Sequence, residues 1–164
     1  MTQLVPMSIK GLMLDPVSNS PIVVLRDADD RLFLPIWVGI FEANAIALQL
    51  ENVTTPRPMT HDLLKNALAE LDAQVTRIVI SDLRDSTFFA QIRINVSGDR
   101  TLELDARPSD AIALALRTEA PIYVAQAVLD QAHTIAPEAG EEQDDKMKKW
   151  FEDLSPDELG KYKM

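Results

Sequence analysis

Apolar runs predict three strands near the start of the chain. Residues 7–14 are mostly apolar and end at an Asp-Pro turn, and residues 22–25 form a short β-branched run. Residues 32–38 are apolar at every position except a proline, which is typical of a central strand buried on both faces. Pro35 inside this run has no amide hydrogen, so it also indicates a bulge or a local edge.

Helical spacing predicts two helices next. After Gly39, residues 40–50 carry an apolar stripe at intervals of three and four. Thr60 is predicted as the N-cap of a second helix over residues 61–71, because its hydroxyl can accept a hydrogen bond from a first-turn amide. One face of this second helix is apolar, and we expect it to be buried. That face consists of Leu63, Leu64, Ala67, Leu68 and Leu71.

The second half of the chain repeats the strand signal. Residues 74–83, 88–97 and 101–105 alternate apolar and polar positions, as a strand with one buried face does. Residues 108–119 have an entirely apolar middle, which predicts a helix buried on most sides. A short strand at residues 122–124 and a helix at residues 125–133 complete the pattern.

The order of these elements predicts an α+β fold with a mixed, mainly antiparallel sheet. The four residues from Ala45 and the four from Ala111 are identical, and each set lies in a helix that follows a third strand. Either two buried helices arose independently, or a β-β-β-α unit was duplicated. We therefore expect two β-β-β-α-like halves packed with helices, followed by a C-terminal helical tail.

Composition limits the function classes. The chain has 164 residues, no cysteine and a net charge of −10. Its length fits one domain, and the lack of cysteine excludes disulfides, thiolate metal sites and cysteine nucleophiles. The negative charge weighs against coating of duplex DNA, which needs a broad basic face. Without a leader-like or long apolar segment, we expect a soluble cytoplasmic protein that does not bind membranes.

The basic residues change from mainly arginine to lysine near residue 135. Nine of the eleven basic residues up to residue 134 are arginines, whereas all five beyond it are lysines. Residues 137–145 are mainly acidic, as flexible linkers often are. We predict a folded α+β domain at residues 1–134, then an acidic linker and an amphipathic helix within residues 135–164.

Two segments at predicted helix starts share one chemistry. Arg57 and Arg107 each precede a proline, a hydroxyl residue and an acid. Free amides and the helix dipole attract anions at such starts, and an arginine can clamp a phosphate with two hydrogen bonds. We predict that Arg57, Thr60, Arg107 and Ser109 bind phosphate. The same residue types also begin ordinary helices, and Arg107 could simply pair with Asp105.

Two residues are candidate general bases. Glu42 is a carboxylate in an otherwise mostly apolar helix, so it is either stabilised by the helix dipole or kept for a task. His61 lies next to Asp62, and histidine exchanges protons near neutral pH. A histidine that merely contacts solvent at a helix start would give the same pattern.

Carboxylates could also hold a divalent ion. Glu42, Asp62, Asp105 and Asp110 supply the hard oxygen ligands that Mg²⁺ and Mn²⁺ prefer, and we predict Asp62, Asp105 and Asp110 as the ligands. Such an ion would help an acidic protein approach a polyanion and could activate water. Surface ion pairs would use the same residues.

Three motifs, in order along the chain, resemble the bifunctional nuclease family, or DNase-RNase domain. The first runs from Leu34 (LPIWVG) and continues to Glu42, the second from Arg57 (RPMTHDL), and the third from Leu104 (LDARPSDAIALA). The resemblance extends over roughly residues 4–133 and includes the tail. Three ordered motifs make it specific.

This resemblance implies an α+β domain that degrades both DNA and RNA, as reported for some members, but it supplies no settled mechanism. Some relatives carry an added helical interaction module after the core; here only the predicted helix at residues 144–154 takes that place. The family's motif positions fall here on Glu42, Thr60, His61, Asp62, Asp105, Arg107, Ser109 and Asp110.

Three functions stay open. The first is a phosphodiesterase of low sequence specificity, which a divalent metal ion could assist, acting on single-stranded or locally contacted DNA or RNA. Its predicted catalytic residues are Glu42, His61, Asp62, Asp105 and Asp110. The second is a regulatory module without catalysis that binds a nucleotide, another phosphorylated ligand or a protein. The third is homo-oligomerisation, with a homodimer or higher oligomer formed through exposed strands or the tail. Trp37 and Phe41 could stack on a base or pack in the core.

Overall fold

The computed structural model describes residues 2–134, and within them the predicted α+β fold is confirmed. A mixed sheet of seven strands packs with four helices. The predicted tail, residues 135–164, lies outside the described residues. The elements in chain order are β1 (Leu4–Leu14), β2 (Pro21–Asp27), β3 (Phe33–Trp37), α1 (Ile40–Leu50), α2 (Thr60–Glu70), β4 (Ala73–Arg84), β5 (Thr87–Val96), β6 (Arg100–Ala106), α3 (Pro108–Thr118), β7 (Ile122–Ala125) and α4 (Gln126–Gln131).

The sheet contains two antiparallel three-stranded units. Its strand order is β3-β2-β1-β7-β4-β5-β6, so β7 joins the two units. It runs antiparallel to β1 and parallel to β4. One helix directly follows each unit, α1 after β3 and α3 after β6. This arrangement agrees with the predicted β-β-β-α-like halves.

β3 is an edge strand, and its predicted central position was wrong. Within the described part of the chain it pairs with β2 alone. All five of its residues are nevertheless buried. The edge position explains how the strand tolerates Pro35, which lies opposite Val24.

α2 buries a different side from the one its leucines predict. Leu63 is 62% exposed and Leu71 is 72% exposed, whereas Leu68 packs partly against the core. The buried residue of this helix is His61. Polar contacts to α3, rather than the apolar stripe, therefore set its orientation. The predicted cap was also wrong, since Met59 is the N-cap and Thr60 is the first helical residue.

α3 is buried along most of its length, as predicted. Its middle residues, Ala111 to Ala115, are at most 1% exposed and belong to the main core. α1 and α2 both contact it. The core thus fixes three helices against one another, and their first turns carry most of the predicted site residues. None of the helices within residues 2–134 is long and apolar enough to span a membrane.

Candidate active site at three helix starts

Each helix of the site begins where extended backbone stops. Gly39, Met59 and Arg107 are the N-caps of α1, α2 and α3, and all three have extended dihedral angles. Glu42 and Asp110 lie in the first turns of α1 and α3. Helix starts present free amides, so the site gathers backbone donors as well as side chains.

Four side chains form one hydrogen-bonded group, which we name the Arg107 network: Glu42, Arg107, Asp110 and His61. Arg107 Nη2 donates to Glu42 Oε1 at 2.7 Å. Arg107 Nε donates to Asp110 Oδ2 at 3.0 Å. The other carboxylate oxygen, Asp110 Oδ1, lies 2.9 Å from His61 Nε2. One aspartate therefore holds both an arginine and a histidine.

Arg107 is a permanently charged centre that still reaches solvent. Its hydrogen bonds to Glu42 and then to Asp110 raise the pKa of the guanidinium above its ordinary value. The side chain is 52% exposed, against 16% for Glu42. The pairing with Asp105 that the sequence left open does not form, since the two carboxylates bound are those of Glu42 and Asp110. An exposed, oriented guanidinium is suited to an anionic ligand.

Gly39 leaves room for the carboxylate of Glu42. A Cβ atom at residue 39 would collide with Glu42 Oε2, which folds back over the start of α1. The backbone φ of Gly39 is −69°, which any residue adopts, so the requirement is for space alone. The positive end of the helix dipole also favours a carboxylate at this place.

The buried side chain of Arg117 connects the three helices that carry the site. Arg117 Nε donates to Asp62 Oδ1 at 2.7 Å, while its Nη1 and Nη2 donate to the carbonyls of Ala113 and Ala45. The guanidinium thus ties α1, α2 and α3 together. The backbone N–H of Met59 and then Arg117 donate hydrogen bonds to Asp62 and hold its pKa below the ordinary value. Sequence reasoning missed Arg117, although a lone charge in the last turn of an apolar helix was the available signal.

Comparison with known proteins identifies the family. A model of the bifunctional nuclease domain matches residues 23–137, a span that contains the whole Arg107 network. The chain belongs to the bifunctional nuclease domain family. The resemblance carried by the three sequence motifs is therefore confirmed.

Similar proteins occur in bacteria and plants. An uncharacterized protein of Mycobacterium tuberculosis is 38% identical over 160 residues, covering 92% of this chain and 95% of that protein. Bifunctional nuclease 1 of Oryza sativa subsp. japonica is 27% identical over 112 residues, or 67% of this chain and 34% of the rice protein. Bifunctional nuclease 2 of Arabidopsis thaliana is 28% identical over 108 residues, which cover 65% of this chain and 33% of the Arabidopsis protein.

Besides Asp62, which binds Arg117, four predicted site residues lie outside the Arg107 network. Asp105 is exposed at the end of β6, opposite Gln91 of β5. Thr60 and Arg57 are exposed at and before the start of α2. Ser109 is fully buried, and its Oγ has no hydrogen-bond partner among the described residues. Their predicted roles in catalysis and phosphate binding stay predictions.

The acidic residues do not gather as metal ligands do. Within residues 2–134, no group of three or more His, Cys, Asp or Glu side chains is placed to hold a metal ion. Asp62 and Asp110 instead accept hydrogen bonds from Arg117 and Arg107. The donor set therefore does not fit the three-aspartate ion site predicted from the sequence.

The two aromatic residues at the first helix start have different environments. Trp37 is buried, and its Nε1 donates to Asp15 Oδ2 at 2.9 Å, so it belongs to the core. Burial acts to raise the pKa of Asp15, but this bond and those from the turn amides of Val17 and Ser18 lower it overall. Phe41 is 84% exposed beside Glu42. Of the two side chains, only that of Phe41 is exposed.

Proposed function

We propose that this chain hydrolyses phosphodiester bonds of DNA and RNA at the starts of α1, α2 and α3. The Arg107 network carries the proposal. Glu42 and Arg107 are 65 positions apart in the sequence, and His61 and Asp110 are 49 positions apart. The network brings these residues together in one charged, partly exposed group. Relatives in rice and Arabidopsis are named bifunctional nucleases, which supports this reaction class.

Arg107 is the proposed phosphate ligand. Carboxylates hold its Nε and Nη2 in place. The other N–H groups of the guanidinium can therefore donate to phosphate oxygens without a further loss of side-chain entropy. The positive end of the α3 dipole also favours an anion at this place. Two carboxylates beside one guanidinium reduce its attraction for a polyanion. We therefore expect weak binding that weakens further with salt.

His61 is the proposed general base. An ionised carboxylate only accepts hydrogen bonds, so Asp110 places the imidazole proton on Nε2. Nδ1 then keeps its lone pair and can take a proton from an attacking water molecule. Water is the nucleophile that serves DNA and RNA alike, because DNA lacks the 2′-hydroxyl. Glu42 is less suited to this task, since its carboxylate binds Arg107.

Exposed residues around the network are proposed to contact the nucleic acid. Asp105 lies two residues before Arg107, while Arg57 and Thr60 lie beside the start of α2. Phe41 can stack on a base next to the bound phosphate. Contact with Ser109 would require its neighbours to move, because the residue is fully buried.

Cleavage of labelled single-stranded DNA and RNA tests this proposal. The double variant Asp105→Ala, Asp110→Ala is compared with wild type and with the double variant Asp99→Ala, Asp130→Ala, which changes two exposed acids elsewhere. We expect the first variant to lose cleavage and the control to keep it. Equal cleavage by all three proteins would mean that the assigned residues are not the active site. Parallel reactions with Mn²⁺ and with EDTA test the predicted dependence on a divalent ion.

A pocket beside the site favours a second candidate, a regulatory module that binds a nucleotide without cleaving it. The pocket has a volume of about 440 Å³ and is lined by Arg57 and three side-chain amides, from Gln49, Asn52 and Asn66. Amides can read the edges of a base. A rise in Tm with nucleotides, but no cleavage of any strand, would favour this candidate over the nuclease.

We also expect a homo-oligomer, in which a second copy covers the leucines that α2 exposes. Leu63 and Leu71 are more than 60% exposed although their spacing predicts burial. Light scattering measures the mass directly. The expected mass is two or more times the 18.3 kDa of one chain, and a monomer at all concentrations would contradict the prediction.

A further inference from the structure

The second half of the sheet has a polar face that the Arg107 network does not use. In β4 and β5 the core side chains include Ile78 and Ile92. Arg77 and Arg93 alternate with them and lie on the opposite face. Two arginine side chains on one sheet face need negatively charged or hydrogen-bond-accepting groups to balance their charges.

Arg77 and Arg93 are directly opposite each other in the β4–β5 register. Like charges in this position repel, because directly opposed Cβ atoms are close together. Arg93 is neutralised by an ion pair from its Nε to Glu103 Oε1, across to β6. Arg77 is left over the ring of Tyr123, 5.9 Å from its centroid. The uncompensated positive charge is therefore that of Arg77.

One polar atom of Arg77 is unsatisfied. Its Nε is buried and has no hydrogen-bond partner among the described residues. Buried donors are almost always satisfied in proteins, by water or a ligand if not by the chain. The Nε–H of Arg77 therefore calls for an acceptor that the described residues do not supply, either a water molecule or an anionic ligand.

A groove gives an anion access to Arg77 and Arg93. It has a volume of about 360 Å³, and its lining includes Arg77 and Arg93. Thr2 and Gln91 add hydrogen-bond donors along the same lining, and the carboxylate of Glu103, which also lines it, is paired with Arg93. The size and chemistry suit a phosphate group that is attached to a larger molecule.

We propose that Arg77 and Arg93 form a second phosphate site, which binds a phosphate group of a single-stranded nucleic acid away from the Arg107 network. Glu103, the partner of Arg93, lies four residues before Arg107, and β6 connects the two sites. At the rise of a strand, Glu103 and Arg107 are separated by roughly 13 Å along β6. The site binds phosphate whether or not the chain cleaves nucleic acid, so its existence does not depend on the proposed function.

NMR titration of the Arg77 Nε–Hε resonance tests the site. Inorganic phosphate, a nucleoside monophosphate and a short single-stranded oligonucleotide are added in turn to the full chain, the last in a His61→Gln background that keeps the strand intact. We expect a saturable shift with all three, and the tightest binding with the oligonucleotide. Binding of phosphate and the monophosphate alone would support the site and assign it to free nucleotides. No shift of Arg77 with any of the three would overturn the proposal.

Matched variants separate binding from folding. Arg77→Gln should weaken oligonucleotide binding about tenfold or more, as loss of a hydrogen bond to a charged group does. Arg84→Gln is the control, because Arg84 is an exposed arginine of the same strand that already pairs with Asp82. Arg77→Lys keeps the charge and should retain part of the affinity. Equal affinity in wild type, Arg77→Gln and Arg84→Gln would contradict the site.

Discussion

Asp110 Oδ1 lies 2.9 Å from His61 Nε2, although 49 residues separate the two in the sequence. The contact joins the first turn of α3 to the first turn of α2. Because the other oxygen of Asp110 binds Arg107, one carboxylate orients both the proposed base and the proposed phosphate ligand. Changes at this carboxylate should affect catalysis more than folding.

The Asp110→Asn variant tests this dual role. An amide keeps the shape of the side chain but removes the charge that fixes the imidazole proton on Nε2. We expect cleavage to fall by about 100-fold to 10,000-fold, the usual contribution of a positioned base. The measurement is kcat against pH, with Asp99→Asn as an exposed control. An unchanged rate and pH profile would remove Asp110 from the mechanism.

Gly39→Ala is expected to uncouple activity from stability. The new methyl group displaces the carboxylate of Glu42 from Arg107, while the backbone at residue 39 accepts alanine without strain. Cleavage should fall while the free energy of unfolding changes by less than about 1 kcal/mol, because alanine restricts the unfolded chain but is a poorer N-cap than glycine. Gly11→Ala is the matched control, because a Cβ there meets nothing within 4 Å. Full activity in Gly39→Ala would show that the Glu42 contact is dispensable.

Arg117→Met should destabilise the fold. It leaves Asp62 and the carbonyls of Ala45 and Ala113 without their guanidinium partner. We expect a loss of about 3 kcal/mol, the low end for a broken buried pair, because Asp62 is 31% exposed. Urea denaturation measures it, with Arg100→Met as an exposed control. Equal losses in the two variants would contradict the bracing role of Arg117.

Acid should remove the contribution of Asp62. Its pKa is lower in the folded state than in the unfolded state, so its ion pair stabilises the fold above about pH 4 and is lost as pH falls through the folded-state pKa. The stability difference between wild type and Asp62→Asn should therefore be largest at neutral pH and shrink below about pH 4. Urea denaturation at several pH values measures it. A difference that grows in acid would have the wrong sign.

Local patterns predicted most of the fold. The bounds of α1 agree with the sequence prediction, and β5 differs from it by one residue at each end, because periodicity and turn residues fix such elements locally. The orientation of α2 was not predictable in this way. Its leucine stripe indicated one buried face, but contacts of His61 and Asp62 with α3 place that face outward.

The candidate site was predicted as a set of residues but not as a set of contacts. Glu42, His61, Arg107 and Asp110 were identified, yet the sequence could not show that Arg107 binds Glu42 rather than Asp105. Such partners come from helices far apart in the sequence, so no local spacing reports them. Arg117 was missed for the same reason, since Asp62 and Ala45 are 55 and 72 residues away.

Cleavage of single-stranded oligonucleotides by the His61→Gln variant tests the proposed mechanism most directly. His133→Gln is the matched control, because it removes the second histidine of the chain. The predicted result is a loss of cleavage of about 100-fold or more in His61→Gln, for DNA and RNA alike, and wild-type rates in His133→Gln. Wild-type cleavage by His61→Gln would contradict the assignment of His61 as the base.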